Sequence, residues 1–288
     1  MKKRVINWIA AGLLLASGHV FGQDKVVLGQ IDISFYAVTG QVVQAVLERL
    51  GYQVALKTGT HSQIFPQLGE GNVDLLVAAW LPSAHRAYWQ QYGENALELA
   101  TLYRDARLFW AVPRYIPATD VSRVDDLKKP AVASRMVKTI RGTGPDSGLM
   151  IGSRKIMQAY ALERDGYELL AGKHDEWQRY FEENYEARRW FVMPYFQPNF
   201  LNRIADMRMI DDRFEFLGGP NNGVLVARKS FVAGAPKTTI TVLSRIELGL
   251  EAVAEMDYMV RVGGMTPRDA ARTWMEANRD RVDGWFSG

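Results

Sequence analysis

The sequence predicts an α/β protein of two lobes, each a mostly parallel sheet flanked by helices. Three observations carry this prediction. Strand and helix patterns alternate regularly from Val26 to Trp80, and the run Leu75–Trp80 is apolar without a break. The 266 residues that follow the first 22 of the 288 are also enough for two separate cores.

Those first 22 residues read as a leader rather than as part of the fold. Lys2, Lys3 and Arg4 open it, Val5–Ala16 is mostly apolar, and Val20 and Gly22 are small residues suited to a peptidase. The apolar stretch is too short to span a bilayer. There is no Cys anywhere, which excludes lipid attachment through Cys and leaves an exported protein to hold together by its core. These features point to the periplasm. The leader also accounts for the basic balance. Of 35 Lys+Arg against 32 Asp+Glu, three bases and no acids lie before Gln23, so the remainder is neutral. Neutrality gives no electrostatic reason to bind nucleic acid or an anionic membrane.

Val26–Gln30 begins the alternation as a strand. Gln41–Leu50 sets Val42, Val43, Val46, Leu47 and Leu50 on one side of a helix, which Gly51 ends. Tyr52–Leu56 is the next strand, Ile64–Leu68 a short helix, and Leu75–Trp80 a strand buried on both faces. Pro82 stops that strand because it has no N–H to give the ladder. Ser83 can cap a helix over Ala84–Tyr92 that ends at Gly93.

Leu108–Pro113 reads as a strand leaving the first lobe, and the polar segment Arg114–Pro130 leads into the second. There Val137–Ile140 is a strand, and the loop Gly142–Gly148 precedes a helix from about Leu149 to Leu162. Asp175–Arg189 is a charged helix with Trp177, Tyr180, Phe181 and Tyr185 as its apolar residues. Trp190–Met193 is a strand and Pro194–Phe200 an aromatic loop. Phe214–Leu217 and Val224–Ala227 read as strands returning to the first lobe. Lys237–Val260 is helical, and a further helix starts at Thr266 with Pro267 and Asp269 behind it. Trp274 and Trp285 fall in this closing region, where core packing is the expected role.

Motifs for catalysis are missing. The chain after the leader holds three His residues, His61, His85 and His174, at no zinc-ligand spacing. It has no G-x-S-x-G to expose a nucleophilic Ser. The Gly142–Gly148 loop lacks the Gly-Lys-Ser/Thr ending of a phosphate loop; it is either a plain turn before a helix or a seat for a small carboxylate. Aromatics gather instead at strand ends: Trp80, then Phe109 and Trp110, then Tyr195, Phe196 and Phe200. Rings from two lobes facing one cleft would suit a quaternary ammonium, which cannot donate hydrogen bonds but is drawn to ring faces. The same rings could equally pack each lobe separately, the commoner fate of such residues.

The residues do carry a family resemblance. V-A-A-W-L-P-S-A-H (Val77–His85) and G-T-G-P-D-S-G-L-M (Gly142–Met150) resemble signatures of the glycine betaine/choline-type substrate-binding proteins of ABC transporters, the OpuAC/ProX-like family. P-Y-F-Q-P-N-F (Pro194–Phe200) is similar to that family's W-S-P-H-W loop, and M-T-P-R-D-A-A-R-T-W-M-E-A-N (Met265–Asn278) to its closing helix. The resemblance implies a two-lobed periplasmic binding protein of type II with its ligand in the interlobe cleft. It implies lobe I over 23–112 and 213–288 and lobe II over 113–212. It also implies a monomer that carries a small zwitterionic or cationic osmoprotectant to an inner-membrane permease, with no cofactor, metal or catalysis. A sensor of the same fold for another small zwitterion or amine is the alternative.

By motif position, Trp80 matches a cage Trp, Phe196 the first Trp of the W-S-P-H-W loop, Asn199 its His and Phe200 its second Trp. Tyr195 beside them, Ser34 and Tyr36 in the first loop, and Pro145 in the Gly142–Gly148 loop complete the implied ligand-binding set. The first loop lacks the Trp that relatives often have near Ile33, a place Tyr36 partly fills.

Overall fold

The structure is a computed structural model describing residues 24–287; the leader read at 1–22 lies outside them. β1 (Lys25–Ile31), α1 (Ser34–Arg49), β2 (Gln53–Gly59), α2 (His61–Gly69) and β3 (Leu75–Leu81) follow the alternation read from the sequence. β1 lies between β2 and β3 and is parallel to both.

α1 starts at Ser34 rather than near Gln41. Phe35, Tyr36, Val38 and Thr39 are aromatic or β-branched and form helix poorly on their own. All four are buried, so packing overrides propensity. The consequence is that Ser34, Phe35 and Tyr36 stand in the first turn of a helix, not in a loop.

β3 is buried along its whole length. It pairs antiparallel with β9 (Asn221–Arg228), and the register slips between Leu76 and Ala79, with Ala78 at φ 55°. Such a bulge inserts one residue and inverts the in–out alternation. Trp80 therefore emerges on the face opposite to that of Leu76. The next helix, α3, spans Arg86–Tyr92. Ser83 does not cap it, because its N–H and hydroxyl both donate to Asn221 Oδ1, at 2.8 and 2.9 Å.

The strand expected at Leu108–Pro113 is the end of a much longer one, β4 (Ala96–Pro113). Its first part pairs antiparallel with β9 from Ala96 to Ala106. From Arg107 onward it pairs antiparallel with β7 (Met193–Gln197), and from Trp110 also with β8 (Met207–Ile210). The main sheet is thus mixed rather than mostly parallel as expected, in the order β2-β1-β3-β9-β4-β7, with β8 on β4; only β2, β1 and β3 run parallel, because β9, β4, β7 and β8 all join by antiparallel pairing. β5 (Thr139–Arg141) and β6 (Glu168–Leu170) form a small parallel pair.

Between these strands lie α4 (Pro130–Ala133), α5 (Gly148–Tyr160), α6 (His174–Glu186) and α7 (Leu201–Ile204). α8 (Lys229–Gly234), α9 (Lys237–Ser244), α10 (Leu250–Arg261), α11 (Pro267–Ala277) and α12 (Arg279–Phe286) close the chain. Trp274 and Trp285 are buried there, as expected.

Three further expectations are corrected. β7 reaches Gln197, so the aromatic loop shrinks to Pro198–Phe200, while of Trp190–Val192 only Trp190 bridges another segment, at Met136. Phe214–Leu217 is turn, not strand, because Asp212 accepts from the N–H groups of Phe214 and Phe216. The helix expected over Lys237–Val260 breaks between α9 and α10, where the N–H groups of Leu248 and Gly249 both donate to the Leu102 carbonyl and Gly249 has φ 80°.

Candidate functional site

The site is built outward from Trp80. The Trp80 N–H donates to His85 Nδ1 at 2.9 Å, and its indole Nε1 donates to the Tyr103 hydroxyl at 2.8 Å. Tyr103 can lie there because its neighbour on β9 is Gly223; a Cβ at that position would run into the phenol ring. Both ends of Trp80 are therefore fixed, and the ring is only 2% exposed.

Three more rings face it. The Phe35 centroid is 5.7 Å from Trp80 and 5.3 Å from Phe196, which comes from β7. Tyr36 is 6.4 Å from Trp80, as is Phe196. Behind Phe196 the Trp177 ring stacks at 5.2 Å. Ile33, His61, His85 and Leu108 complete one side of the pocket, and Thr143, Ser147, Gly148 and Leu149 the other. The cavity among these groups is about 30 Å³, room for a water or two.

None of the lining residues carries a formal charge at neutral pH. Burial lowers the pKa of His61 to about 4, with Asp146 opposing the shift. Burial, and then the neighbouring His61, push His85 well below the ordinary imidazole range. Burial likewise raises the Tyr36 phenol. Since His85 Nδ1 accepts the Trp80 N–H, the neutral ring carries its proton on Nε2.

The rim is stitched across the pocket. Ser62, in α2, donates its N–H and hydroxyl to Asp146 Oδ2 at 2.9 and 2.8 Å. The Tyr88 hydroxyl donates to the Asp146 carbonyl at 2.9 Å. Burial would raise the Asp146 carboxyl, but the bonds from Ser62 and Thr60, with His61 nearby, together hold the group below its usual range. Beside them Gly148, the first residue of α5, lies directly against the Ala84 carbonyl, and any side chain there would collide with it.

Of the residues read as ligand-binding, Trp80, Phe196 and Tyr36 meet around this cavity. The others stand behind or beside it. Tyr195 packs on Phe109 and Trp177, because alternation along β7 turns it away from its neighbour Phe196. Phe200 is buried next to His174. The Asn199 side chain donates to the Phe196 carbonyl and accepts from Leu201 N–H. Ser34 Oγ is buried toward Asp257, and the Pro145 carbonyl accepts from Arg154. Trp110, one of the strand-end rings, is buried and donates to Ser153.

Sequence reasoning missed Phe35, His61 and His85. His85 was within reach, since it closes the same V-A-A-W-L-P-S-A-H stretch as Trp80. His61 gave no signal, because only the fold of α2 brings it to within 5.0 Å of His85.

Residues 24–277 match the family described as the substrate binding domain of the ABC-type glycine betaine transport system. The chain belongs to that family. A curated relative is the glycine betaine/carnitine transport binding protein GbuC of Listeria monocytogenes, 24% identical over 150 residues; the match spans 52% of this chain and 49% of that protein. Among solved structures, lactococcal OpuAC in its closed form with glycine betaine superposes with a TM-score of 0.81 at 23% identity, covering 92% of this chain and all of that one. The glycine betaine/L-proline-binding protein ProX of Borrelia burgdorferi gives 0.81 at 19% identity, over 91% and 96% of the two chains. A choline-binding protein in complex with choline gives 0.80 at 16% identity, over 92% of each chain. At these identities the likeness is one of fold, and it is the two-lobed fold predicted from the sequence. Among the described residues no helix is long and apolar enough to cross a membrane.

Proposed function

We propose that the protein binds a small quaternary ammonium osmoprotectant, glycine betaine or a near relative such as choline, and presents it to the inner-membrane permease of an ABC importer. One observation carries this reading: Phe35, Tyr36, Trp80 and Phe196 surround a cavity whose lining has no formal charge. A trimethylammonium group gives up little hydration and is attracted to ring faces. The carboxylate of a betaine would meet the His85 Nε2–H and the first turn of α5 at Gly148 and Leu149, whose N–H groups have no partner within their own helix.

The cavity is too small to take such a ligand without the rings parting. Ligand entry then requires the two lobes to separate, lobe I over 23–112 and 213–288 and lobe II over 113–212. β4 is one of the crossings, which its change of partners after Ala106 supports. The protein works as a monomer in the periplasm after loss of its leader, with no cofactor and no catalytic step. Isothermal titration against glycine betaine, choline, carnitine and proline tests the reading. Binding of at least one trimethylammonium compound, and weaker or no binding of proline, is expected. Heat with proline alone would sink it.

A further inference from the structure

A buried carboxyl behind the cage is left unused by this reading. Asp257, on α10, is fully buried. Its Oδ2 accepts the Phe200 N–H at 2.8 Å, while its Oδ1 has no partner. Ser34 Oγ, also buried and with no hydrogen-bond partner, is close enough to bias the carboxyl. Ser34 is the first residue of α1, and Phe35 and Tyr36 follow it. Phe200 ends the short loop that follows Phe196 and Gln197 of β7, and Asn199 ties that loop to the strand through the Phe196 carbonyl and to α7 through the Leu201 N–H. One carboxyl thus bonds to the piece of chain that follows Phe196 and leaves its other oxygen free beside the piece that carries Phe35 and Tyr36.

We propose that Asp257 is a positioning residue for the ligand cage, its carboxyl holding the Phe196–Phe200 segment against the first turn of α1 when the lobes are closed. This rests on the interlobe reading of the site given above. It also makes closure sensitive to protons. Burial lifts the Asp257 carboxyl to about 6, while Ser34, the Phe200 N–H and Arg261 oppose the shift. In an open form, exposed to water, it returns to about 4. Closing therefore takes up a proton between those values, so acid favours closure at this residue.

The surrounding groups are few. Arg261, on the same helix, is paired with Asp175 and bonded to Gln178 on α6. His174, on α6, stacks on Trp177 with both ring nitrogens buried. Arg203 and Glu251 pair outside the turn. His61, His85, His174 and Asp146 titrate as well, so the pH profile of the unaltered protein alone does not isolate Asp257. A ratio between two proteins that share those groups does.

Asp257→Asn keeps an acceptor for Phe200, can donate to Ser34, and mimics the protonated acid. The test measures affinity for glycine betaine and choline by titration calorimetry at pH 8 and pH 5, for the unaltered protein, Asp257→Asn and Asp257→Ala. Asp257→Asn should bind, and its affinity relative to the unaltered protein should fall about tenfold from pH 8 to pH 5. Asp257→Ala should bind several-fold more weakly at both. With ligand at saturation, amide exchange over residues 196–204 should quicken in Asp257→Ala and recover in Asp257→Asn. A flat ratio, an Ala variant that binds normally, or an Asn variant as weak as the Ala variant overturns the proposal. If the unaltered protein binds neither compound, the ligand reading fails, and the same exchange comparison made without ligand decides whether Asp257 holds the turn.

Discussion

Trp80 was open to two readings in the sequence, a cap on the sheet or a wall of a ligand site. It is both. It is buried, hydrogen-bonded at each end, and ringed by other aromatics. Removing a buried Trp costs on the order of 3–5 kcal/mol of stability, and a ring facing a cation contributes about 0.5–2 kcal/mol to binding. Trp80→Ala should therefore lower the melting temperature and weaken betaine affinity several-fold or more. Tyr103→Phe separates the two roles, since it leaves the ring in place and takes the partner from Nε1. Its expected cost is about 1 kcal/mol, read as a modest drop in both melting temperature and affinity. Unchanged affinity in both variants would confine Trp80 to the core. The histidines make a second residue-scale prediction. His61 folds neutral with its pKa lowered from 6.5 to about 4, so its contribution is full above pH 6.5 and is lost as pH falls toward 4. The loss reaches about 3 kcal/mol at most. Melting between pH 8 and pH 4 should show the decline, and His61→Asn should flatten part of it.

At the scale of elements, legibility followed the cleanness of the pattern. The alternation from β1 to β3 was readable because each apolar run has one period and a Gly or Pro stop. The first half of β4 was not. Its register with β9 shifts three times, so Ala96–Ala106 never alternates long enough to read as a strand. The start of α1 was hidden by residues with low helix propensity, and with it went Phe35, which lines the pocket beside Trp80. The loop before α5 was read as a turn or an anion seat, but not as a contact surface. Gly148 gives it that role, because α5 can meet the Ala84 carbonyl only without a side chain there. Gly148→Ala should leave folding nearly intact, since the position is at a helix start, yet weaken ligand binding tenfold or more by holding the rim apart. Calorimetry and thermal melting on the same sample would show it. Normal affinity would mean that the contact at Ala84 has room to give.

At the scale of the molecule, closure is what the proposed function demands. Exposed pairs across the rim, such as Arg203 with Glu251, contribute little in water. The bonds from Ser62 to Asp146 and from Phe200 to Asp257 are few. Hydrogen bonds of this kind are worth about 1 kcal/mol each, somewhat more to a charged acceptor. On the proposed reading such a rim parts for ligand exchange, although the buried apolar residues, the cage rings among them, form one core cluster. A ligand that touches Trp80 on one side and Phe196 on the other has more contacts in the closed form than in the open one, and so shifts the balance toward closure. Small-angle scattering should then give a smaller radius of gyration with saturating glycine betaine or choline than without. The same comparison on Gly148→Ala should show a smaller change, because its rim cannot meet. An unaltered scattering profile in a protein that calorimetry shows to be saturated would mean that the rings are already together before the ligand arrives, and the cage would have to fill without movement of the lobes.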